Sequence, residues 1–128
     1  MEKCVFCHPE LDGEQRVVFE NNSCLFVQKD QRILKGSGLI IPKSHKPTVF
    51  DLSKEEWIDT QDMLIKVKKW LDQKWVPDGY NIGYNCGSAG GQHIFHAHLH
   101  VIPRFKEEPF VGQGIRHWLK KEENNHRI

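Results

Sequence analysis

Four of the eight histidines of this 128-residue chain lie within eight positions, in the segment HIFHAHLHVIPR at 93–104. Three of them alternate with apolar residues, in the order His96, Ala97, His98, Leu99, His100 and Val101. A neutral imidazole ring is both a nucleophile and a metal ligand near pH 7, so the segment indicates a reaction or a metal site. A solvated strand face is the plainer alternative, and three histidines following a glycine-rich turn disfavour it.

The alternation predicts a strand that places the three histidines on one face and the apolar residues on the core face. Neighbours on one face lie roughly 6.6 Å apart, whereas zinc–nitrogen bonds are about 2.0–2.1 Å, so one ion takes at most two of the rings. At least one histidine therefore has another role. Phosphorus chemistry suits it, because imidazole forms a P–N intermediate that water can cleave. The preceding GSAGG turn at 87–91 offers backbone N–H groups to phosphate oxygens.

A second cluster of reactive side chains is the CVFCH segment at 4–8. It matches the c-type haem attachment pattern, but that chemistry requires export. A thioredoxin-like redox pair needs a strand before it and a helix after it, and the sequence predicts neither. Zinc is the favoured interpretation, although Cys4 and Cys7 supply only half of a closed tetrahedral site. Cys24 and Cys86 lie in predicted strands and are predicted to be small core residues.

The elements that would position these residues are five strands and one helix. The strands are predicted over 16–20, 24–28, 38–42, 80–85 and 96–103. Ser53 and Glu56 form a capping box that opens the helix. An apolar stripe on that helix is predicted to face the core: Trp57, Leu64, Val67, Leu71 and Trp75. Short connections between the strands predict an α+β domain with a mainly antiparallel sheet and one long helix.

Length and composition narrow the class of protein. A chain of 128 residues fits one compact domain, and a net charge of +1 argues against a nucleic-acid partner. No apolar run approaches the ~20 residues of a membrane span, so no membrane partner is expected. The N-terminal residues contain no apolar signal segment, which predicts a cytoplasmic location. Under those reducing conditions the four cysteines are expected to be thiols or ligands rather than disulfides.

Two segments together resemble the signature of the histidine triad (HIT) family: GGQHIFHAHLHVIPR, and GLIIPKSH with His45 placed 51 residues before His96. The resemblance covers roughly residues 1 to 105 and includes the zinc-binding HINT and diadenosine polyphosphate hydrolase branches. It predicts a HIT domain over 1–105 and a C-terminal extension over 106–128 that packs on or near it. Membership implies a homodimer that hydrolyses nucleoside phosphoramidates or dinucleoside polyphosphates at the α-phosphorus and releases AMP.

The resemblance also implies roles for individual residues. His98 corresponds to the nucleophile, His100 and Gln92 to phosphate contacts, and His93 stands at the usual Ser/Thr position beside the leaving group. The implied substrate-binding residues are Phe6, Val27, Asn85, Gly91, Gln92 and His100. The implied ligands of a structural zinc ion are Cys4, Cys7, His45 and His96.

This chain departs from the family pattern near the sugar-binding position. Lys29 stands where relatives usually carry an acidic residue that binds ribose, with Asp30 one position later, and Ser37 stands where histidine is frequent. A competing hypothesis keeps the pocket and the zinc but not the reaction: a non-catalytic, zinc-stabilised nucleotide-binding module. The intact triad argues against that alternative, because a pure binder has no need of His98.

Overall fold

The computed structural model describes residues 3–125, which form one antiparallel sheet, one long helix and several short 3₁₀ turns. The strands are β1 (Gln15–Glu20), β2 (Cys24–Lys29), β3 (Gly38–Pro42), β4 (Gly79–Gly83) and β5 (Leu99–Arg104), and the helix α1 is Lys54–Trp75. The 3₁₀ turns are Pro9–Leu11, Val49–Asp51, Ser88–Gly90 and Glu122–Asn124. The predicted α+β class with one long helix is confirmed.

The sheet has the order β1-β2-β3-β5-β4, and every neighbouring pair is antiparallel. The register aligns Val27 on β2 with Leu39 on β3, and Leu39 with His100 on β5. Paired residues project to the same face of a sheet, so these three side chains share a face. Helix α1 packs on the opposite face, where Leu99 and Val101 join the main core. Within β5 the alternation therefore separates a core face, with Leu99 and Val101, from the face of His100, as predicted.

The buried stripe of α1 differs from the predicted one. Val67 and Leu71 are fully buried as expected, but Trp57 and Trp75 are 49% and 37% exposed. The buried face runs through Glu56, Thr60, Met63, Val67 and Leu71. The prediction was wrong for the two tryptophans because it treated polar residues as solvent-facing, and the stripe instead includes a buried carboxyl and a buried hydroxyl.

Two strands are shorter than the sequence predicts. Strand β5 begins at Leu99, so His96 and His98 precede it, because the N–H of Ala97 donates to the carbonyl of Lys46 instead of to a neighbouring strand. Strand β4 correspondingly ends at Gly83, opposite His100, and does not reach residue 85. His96 and His98 thus lie in the loop that leads into β5, and His100 lies at the start of the strand. The side chains of His98 and His100 line a cavity at this point.

The two remaining cysteines have different surroundings. Cys24 is fully buried in β2, as predicted. Cys86 lies beyond the end of β4 and not in a strand as predicted, and it packs half-buried against a small apolar cluster of Val49, Leu52 and Ala97. Within residues 3–125, no helix has the length and apolar character needed to cross a bilayer.

The described part of the C-terminal extension is attached to the sheet through Arg104 at the end of β5. Its guanidinium donates to the carbonyl oxygens of Phe110 and Gln113 at 2.7 and 2.8 Å, and also to Asn81 on β4. It pairs with Glu108 at 2.7 Å. Residues 126–128 of the predicted extension lie outside the described residues.

Candidate functional site

The His98 ring is held in one orientation by its own segment. Its Nδ1 lies 2.8 Å from the carbonyl oxygen of His96, so Nδ1–H donates to that oxygen and Nε2 keeps the lone pair. The ring is buried and forms part of a cavity wall. A histidine with one nitrogen anchored to a carbonyl and the other carrying a lone pair has the arrangement of a nucleophile or a base.

His100 stands beside it with one nitrogen unused. The two ring centroids are 5.0 Å apart, and both rings line the same cavity. The Nε2 atom of His100 is buried and has no hydrogen-bond partner among residues 3–125. An unpaired buried polar atom costs about 1–3 kcal/mol, so its persistence beside a cavity points to a ligand group that satisfies it.

Burial also controls the charge of these rings. It lowers the pKa of His98, against a smaller opposing effect from the His96 carbonyl. Burial lowers the pKa of His100 as well, and the neighbouring His98 adds to that effect. Both imidazoles are therefore neutral near pH 7, which is the form that attacks an electrophile or accepts a proton.

The cavity has a volume of about 420 Å³, within the range of small-molecule sites. Its wall contains most of the residues that the sequence predicts to bind substrate or act in catalysis: Phe6, Val27, Asn85, Gly91, His93, His98 and His100. Further wall residues that the prediction missed include Val5, Asp12, Leu39 and Ile102. The cavity is thus polar near the histidines and apolar in the middle.

Gln92 is in a different position from that expected of a phosphate contact. The side chain is 2% exposed and is not part of the cavity wall. Its Nε2 donates to the carbonyl oxygens of Pro47 (2.6 Å) and Ile94 (3.0 Å), while its Oε1 accepts from the N–H of Gly87 at 2.8 Å. In this arrangement the amide acts as a clamp on the glycine turn.

The glycine turn is closed by its own backbone. The N–H groups of Gly90, Gly91 and Gln92 donate to carbonyls within the turn, at 3.0–3.1 Å. Gly91 has φ +94°, in the left-handed region that other residues rarely adopt, and its backbone lies beside the Asn85 amide. The turn is therefore a rigid wall, and the amides that close it are not available to a phosphate.

An ion pair occupies the end of the cavity that the family pattern assigns to an acidic residue. Lys29 Nζ lies 2.6 Å from Asp12 Oδ2, and both residues line the cavity. The lysine hydrogen bond is the largest of the effects that lower the pKa of Asp12. A carboxylate does reach this end, but it belongs to Asp12, before β1, and no local sequence signal predicts its position.

A second cluster lies behind the histidine pair and has the composition of a metal site. The ligand atoms of Cys4, Cys7, His45 and His96 all lie within 4.8 Å of one another. The two Nδ1 atoms are 3.3 Å apart, and three of the four sulfur–nitrogen distances are 3.2, 3.4 and 3.5 Å. Tetrahedral zinc has bonds of about 2.0–2.1 Å to nitrogen and about 2.3 Å to sulfur, which place its ligand atoms about 3.3–3.8 Å apart. The donors fit zinc.

Hydrogen bonds within the protein orient His96 and hold the loop that carries His45. His96 Nε2 lies 2.8 Å from the carbonyl oxygen of Pro42, which makes it the N–H and leaves Nδ1 free to coordinate. His45 lies between Ser44 and Lys46, and the side chains of both contact the Glu56 carboxylate, at 2.6 and 2.9 Å. The start of α1 therefore fixes the loop that carries His45.

Comparison with known proteins agrees with this geometry. The chain matches the HIT domain over residues 10–107, so it belongs to the HIT family.

Several relatives of this chain bear names of nucleotide hydrolases. Adenylylsulfatase HINT3 of Arabidopsis thaliana is 32% identical over 121 residues, covering 91% of this chain and 61% of that protein. Adenosine 5'-monophosphoramidase hnt1 of Schizosaccharomyces pombe is 36% identical over 80 residues, 62% and 57% of the two chains. Bis(5'-adenosyl)-triphosphatase of Dictyostelium discoideum is 29% identical over 114 residues, 89% and 76%. The chain thus spans about three fifths to three quarters of these relatives.

Solved structures of the family have the same fold. A HIT family protein from Bacillus anthracis superposes with a TM-score of 0.76 at 30% identity, covering 98% of this chain and 87% of that one. A zinc-bound histidine triad family protein from Mycobacterium smegmatis gives a TM-score of 0.69 at 29% identity, covering 84% and 79%.

Proposed function

We propose that this protein hydrolyses nucleoside phosphoramidates or dinucleoside polyphosphates at the α-phosphorus, through a nucleotidyl-histidine intermediate, and releases AMP. The observation that carries the proposal is the pair of histidine rings in one cavity wall. His98 has its Nδ1–H anchored on a carbonyl, and His100 has a buried nitrogen without a partner. Relatives named as an adenylylsulfatase, a monophosphoramidase and a bis(5'-adenosyl)-triphosphatase support phosphoramidate and phosphoanhydride substrates.

The first step is attack by the His98 Nε2 lone pair on the α-phosphorus. A P–N bond forms, the P–N or P–O bond to the leaving group breaks, and the leaving group takes a proton from solvent or from His93 at the cavity edge. The Nδ1–H bond to the His96 carbonyl stabilises the positive charge that develops on the ring. His100 contacts the non-bridging oxygens as they gain charge. The oxygen of a water molecule then bonds to the phosphorus, the P–N bond breaks with its electron pair returning to Nε2, and the water proton passes to solvent or to His93. His98 is again neutral.

The cavity fits a nucleotide in one orientation, with the phosphate at the histidines and the sugar or base toward Lys29. With its phosphate at His98 and His100, the nucleoside lies over the apolar middle, against Phe6 and Val27. By sheet spacings, Lys29 lies roughly 12 Å from His100 between Cα atoms, far enough along the cavity to meet the sugar or base. The Asp12–Lys29 pair then recognises hydroxyl or ring nitrogen groups in place of the usual single carboxylate.

We further propose that Cys4, Cys7, His45 and His96 hold one structural zinc ion. Four protein ligands leave no open position, so the ion supplies rigidity and not a reactive water. The distances between donor atoms support zinc, as does the zinc-bound relative. A cytoplasmic location, where the thiols stay reduced, belongs to the same proposal.

We propose that the protein is a homodimer, formed through α1 and the edge strand β4. Trp57, Ile58 and Ile65 on the helix are each about half exposed, at 49%, 50% and 51%. A hollow between α1 and β4 lies next to them, lined by Leu64, Ile82 and Tyr84 among others. An apolar patch beside an unpaired strand edge is the kind of surface that a second copy covers.

A turnover assay separates this function from the non-catalytic alternative. Purified protein is supplied with adenosine phosphoramidate or diadenosine tetraphosphate, AMP release is followed by chromatography, and AMP binding is measured by calorimetry. The hydrolase predicts AMP release from at least one substrate class. AMP binding without any turnover would support the binding module instead, and absence of both would contradict a nucleotide function. His117→Ala, which alters a histidine outside the cavity wall, should release AMP as the wild type does.

A further inference from the structure

One short segment belongs to both the metal cluster and the substrate cavity. This segment, residues 3–14, is termed the N-terminal segment. It carries the cluster residues Cys4 and Cys7, and it contributes Val5, Phe6 and Asp12 to the cavity wall. The candidate metal ligands Cys4 and Cys7 flank the wall residues Val5 and Phe6, so a movement of the cysteine pair also moves the cavity wall.

Phe6 lies between the two sites. The side chain is 4% exposed, and its ring centroid lies 5.0 Å from that of His98 and 5.9 Å from that of His96. It also packs on Val27 and Ile41 in a small cluster separate from the main core. The same ring therefore contacts a candidate metal ligand, the candidate nucleophile and the apolar wall of the cavity.

Polar contacts also hold the N-terminal segment against the sheet, beside the packing of Phe6. Gln15 Nε2 donates to the carbonyl of Val5 at 3.0 Å, and Asp12 pairs with Lys29 in the cavity wall. The segment has no residue in a strand, since β1 begins only at Gln15. If Cys4, Cys7, His45 and His96 held one ion together, the ion would tie the segment to two loops that are distant in sequence.

We propose that metal binding and nucleotide binding are thermodynamically coupled in this protein, with Phe6 as the residue that transmits the coupling. A bound ion fixes Phe6 against the His98 ring, which completes the cavity wall before the nucleotide enters. A bound nucleotide, by packing on Phe6, in turn holds the cysteine pair in its coordinating position. Phe6 is thus a positioning residue for His98. The inference rests on the proposed nucleotide function and deepens it.

Coupling of this kind is reciprocal, because the two binding free energies share one interaction term. If zinc strengthens AMP binding by some factor, AMP strengthens zinc binding by the same factor. We expect a factor of about ten, inside the common range of allosteric coupling. Either half of this cycle can be measured without any turnover.

The test is a competition for Zn²⁺ between the zinc-loaded protein and a chromogenic chelator, with and without saturating AMP. The apparent zinc affinity of the wild type should rise about tenfold with AMP. Phe6→Ala should still bind zinc, since all four ligands remain, but AMP should change its zinc affinity less than about twofold. Phe6→Leu, which keeps an apolar contact, should recover part of the effect. Calorimetry on the zinc-loaded and zinc-free protein gives the reciprocal AMP affinities wherever circular dichroism shows that the zinc-free chain is folded.

Ile102→Ala is the matched control. Ile102 lines the same cavity from β5, outside the N-terminal segment, so its truncation should weaken AMP binding and leave the tenfold ratio intact. An unchanged zinc affinity on addition of AMP to the wild type would overturn the proposal, as would an undiminished ratio in Phe6→Ala. A wild type that binds zinc but no AMP at all would instead contradict the proposed function.

Discussion

His96 and His98 are joined by a hydrogen bond from the Nδ1–H of His98 to the backbone carbonyl of His96, at 2.8 Å. The side chain of His96 faces the cysteine pair, while the ring of His98 faces the cavity. The backbone that presents a candidate metal ligand therefore also orients the candidate nucleophile. This shared segment explains why two sites with different chemistry lie within one short stretch of chain.

Glu56 should make the free energy of unfolding depend on pH in the acid range. Burial alone would raise its pKa, but hydrogen bonds from Ser44, Ser53 and Lys46 outweigh that effect and lower the pKa to about 2, from an ordinary value of 4.5. Ionised Glu56 then stabilises the folded protein above pH 4.5, on the order of 3 kcal/mol, and this contribution disappears as the pH falls toward 2.

Denaturant unfolding of the wild type and Glu56→Gln between pH 2 and 7 measures this contribution. The difference in unfolding free energy should be largest near pH 7 and should shrink between pH 4.5 and 2. Both proteins are measured in the presence of a chelator, so that bound metal does not contribute to the difference. A difference that stays constant over this range would show that the carboxylate has no special role.

Gln92 should act on stability through the glycine turn. In Gln92→Glu the carboxylate cannot donate to the carbonyls of Pro47 and Ile94, which the amide does at 2.6 and 3.0 Å. Each buried group left unsatisfied costs about 1–3 kcal/mol, so the unfolding free energy should fall by at least about 2 kcal/mol. Gln73→Glu on the exposed face of α1 should change it by less than about 0.5 kcal/mol. Equal effects of the two variants would rule out the clamp.

Gln92 also illustrates where sequence reasoning stops. The family pattern placed it at the phosphate, but its amide is used by a carbonyl 45 residues away, a contact that no local pattern encodes. The same limit applies to Asp12, which reaches the cavity only because the N-terminal segment folds back beside Lys29. In contrast, the alternation in the histidine segment and the capping box at Ser53 are local, and the structure has both. The apolar pattern wrongly predicts that Trp57 is buried. Glu56 is buried instead, because Ser44 and Lys46 bind its carboxylate, and the local pattern does not encode those contacts.

His100 should contribute to the reaction more than to binding. Its unpaired Nε2 is positioned for charge that develops on phosphate oxygens, so His100→Ala should lower kcat by about 10²–10³ with a smaller change in AMP affinity. His100→Gln, whose amide can place a donor near the former Nε2, should lose less. Stopped assays of AMP release and calorimetry give the two quantities. A loss of AMP affinity with kcat unchanged would indicate a binding role only.

Ile58→Glu should convert the proposed dimer to a monomer. A carboxylate in the middle of an apolar interface loses its hydration without a partner, which opposes association. Light scattering should give the mass of two 15.0 kDa chains for the wild type at micromolar concentration and of one chain for the variant. Ile33→Glu, in the loop between β2 and β3 where Ile33 is 73% exposed, should remain dimeric. A wild type with the mass of one chain would contradict the proposed interface.

The most direct measurement of the central claim is the turnover number of His98→Ala, determined beside its affinity for AMP. A nucleophile acts in bond formation and contributes little to ground-state binding, so its removal lowers kcat and spares affinity. The account predicts that this variant binds AMP with nearly the wild-type affinity and loses several orders of magnitude in kcat on adenosine phosphoramidate and diadenosine tetraphosphate alike. Retention of more than about a tenth of the wild-type kcat would contradict the assignment of His98 as the nucleophile.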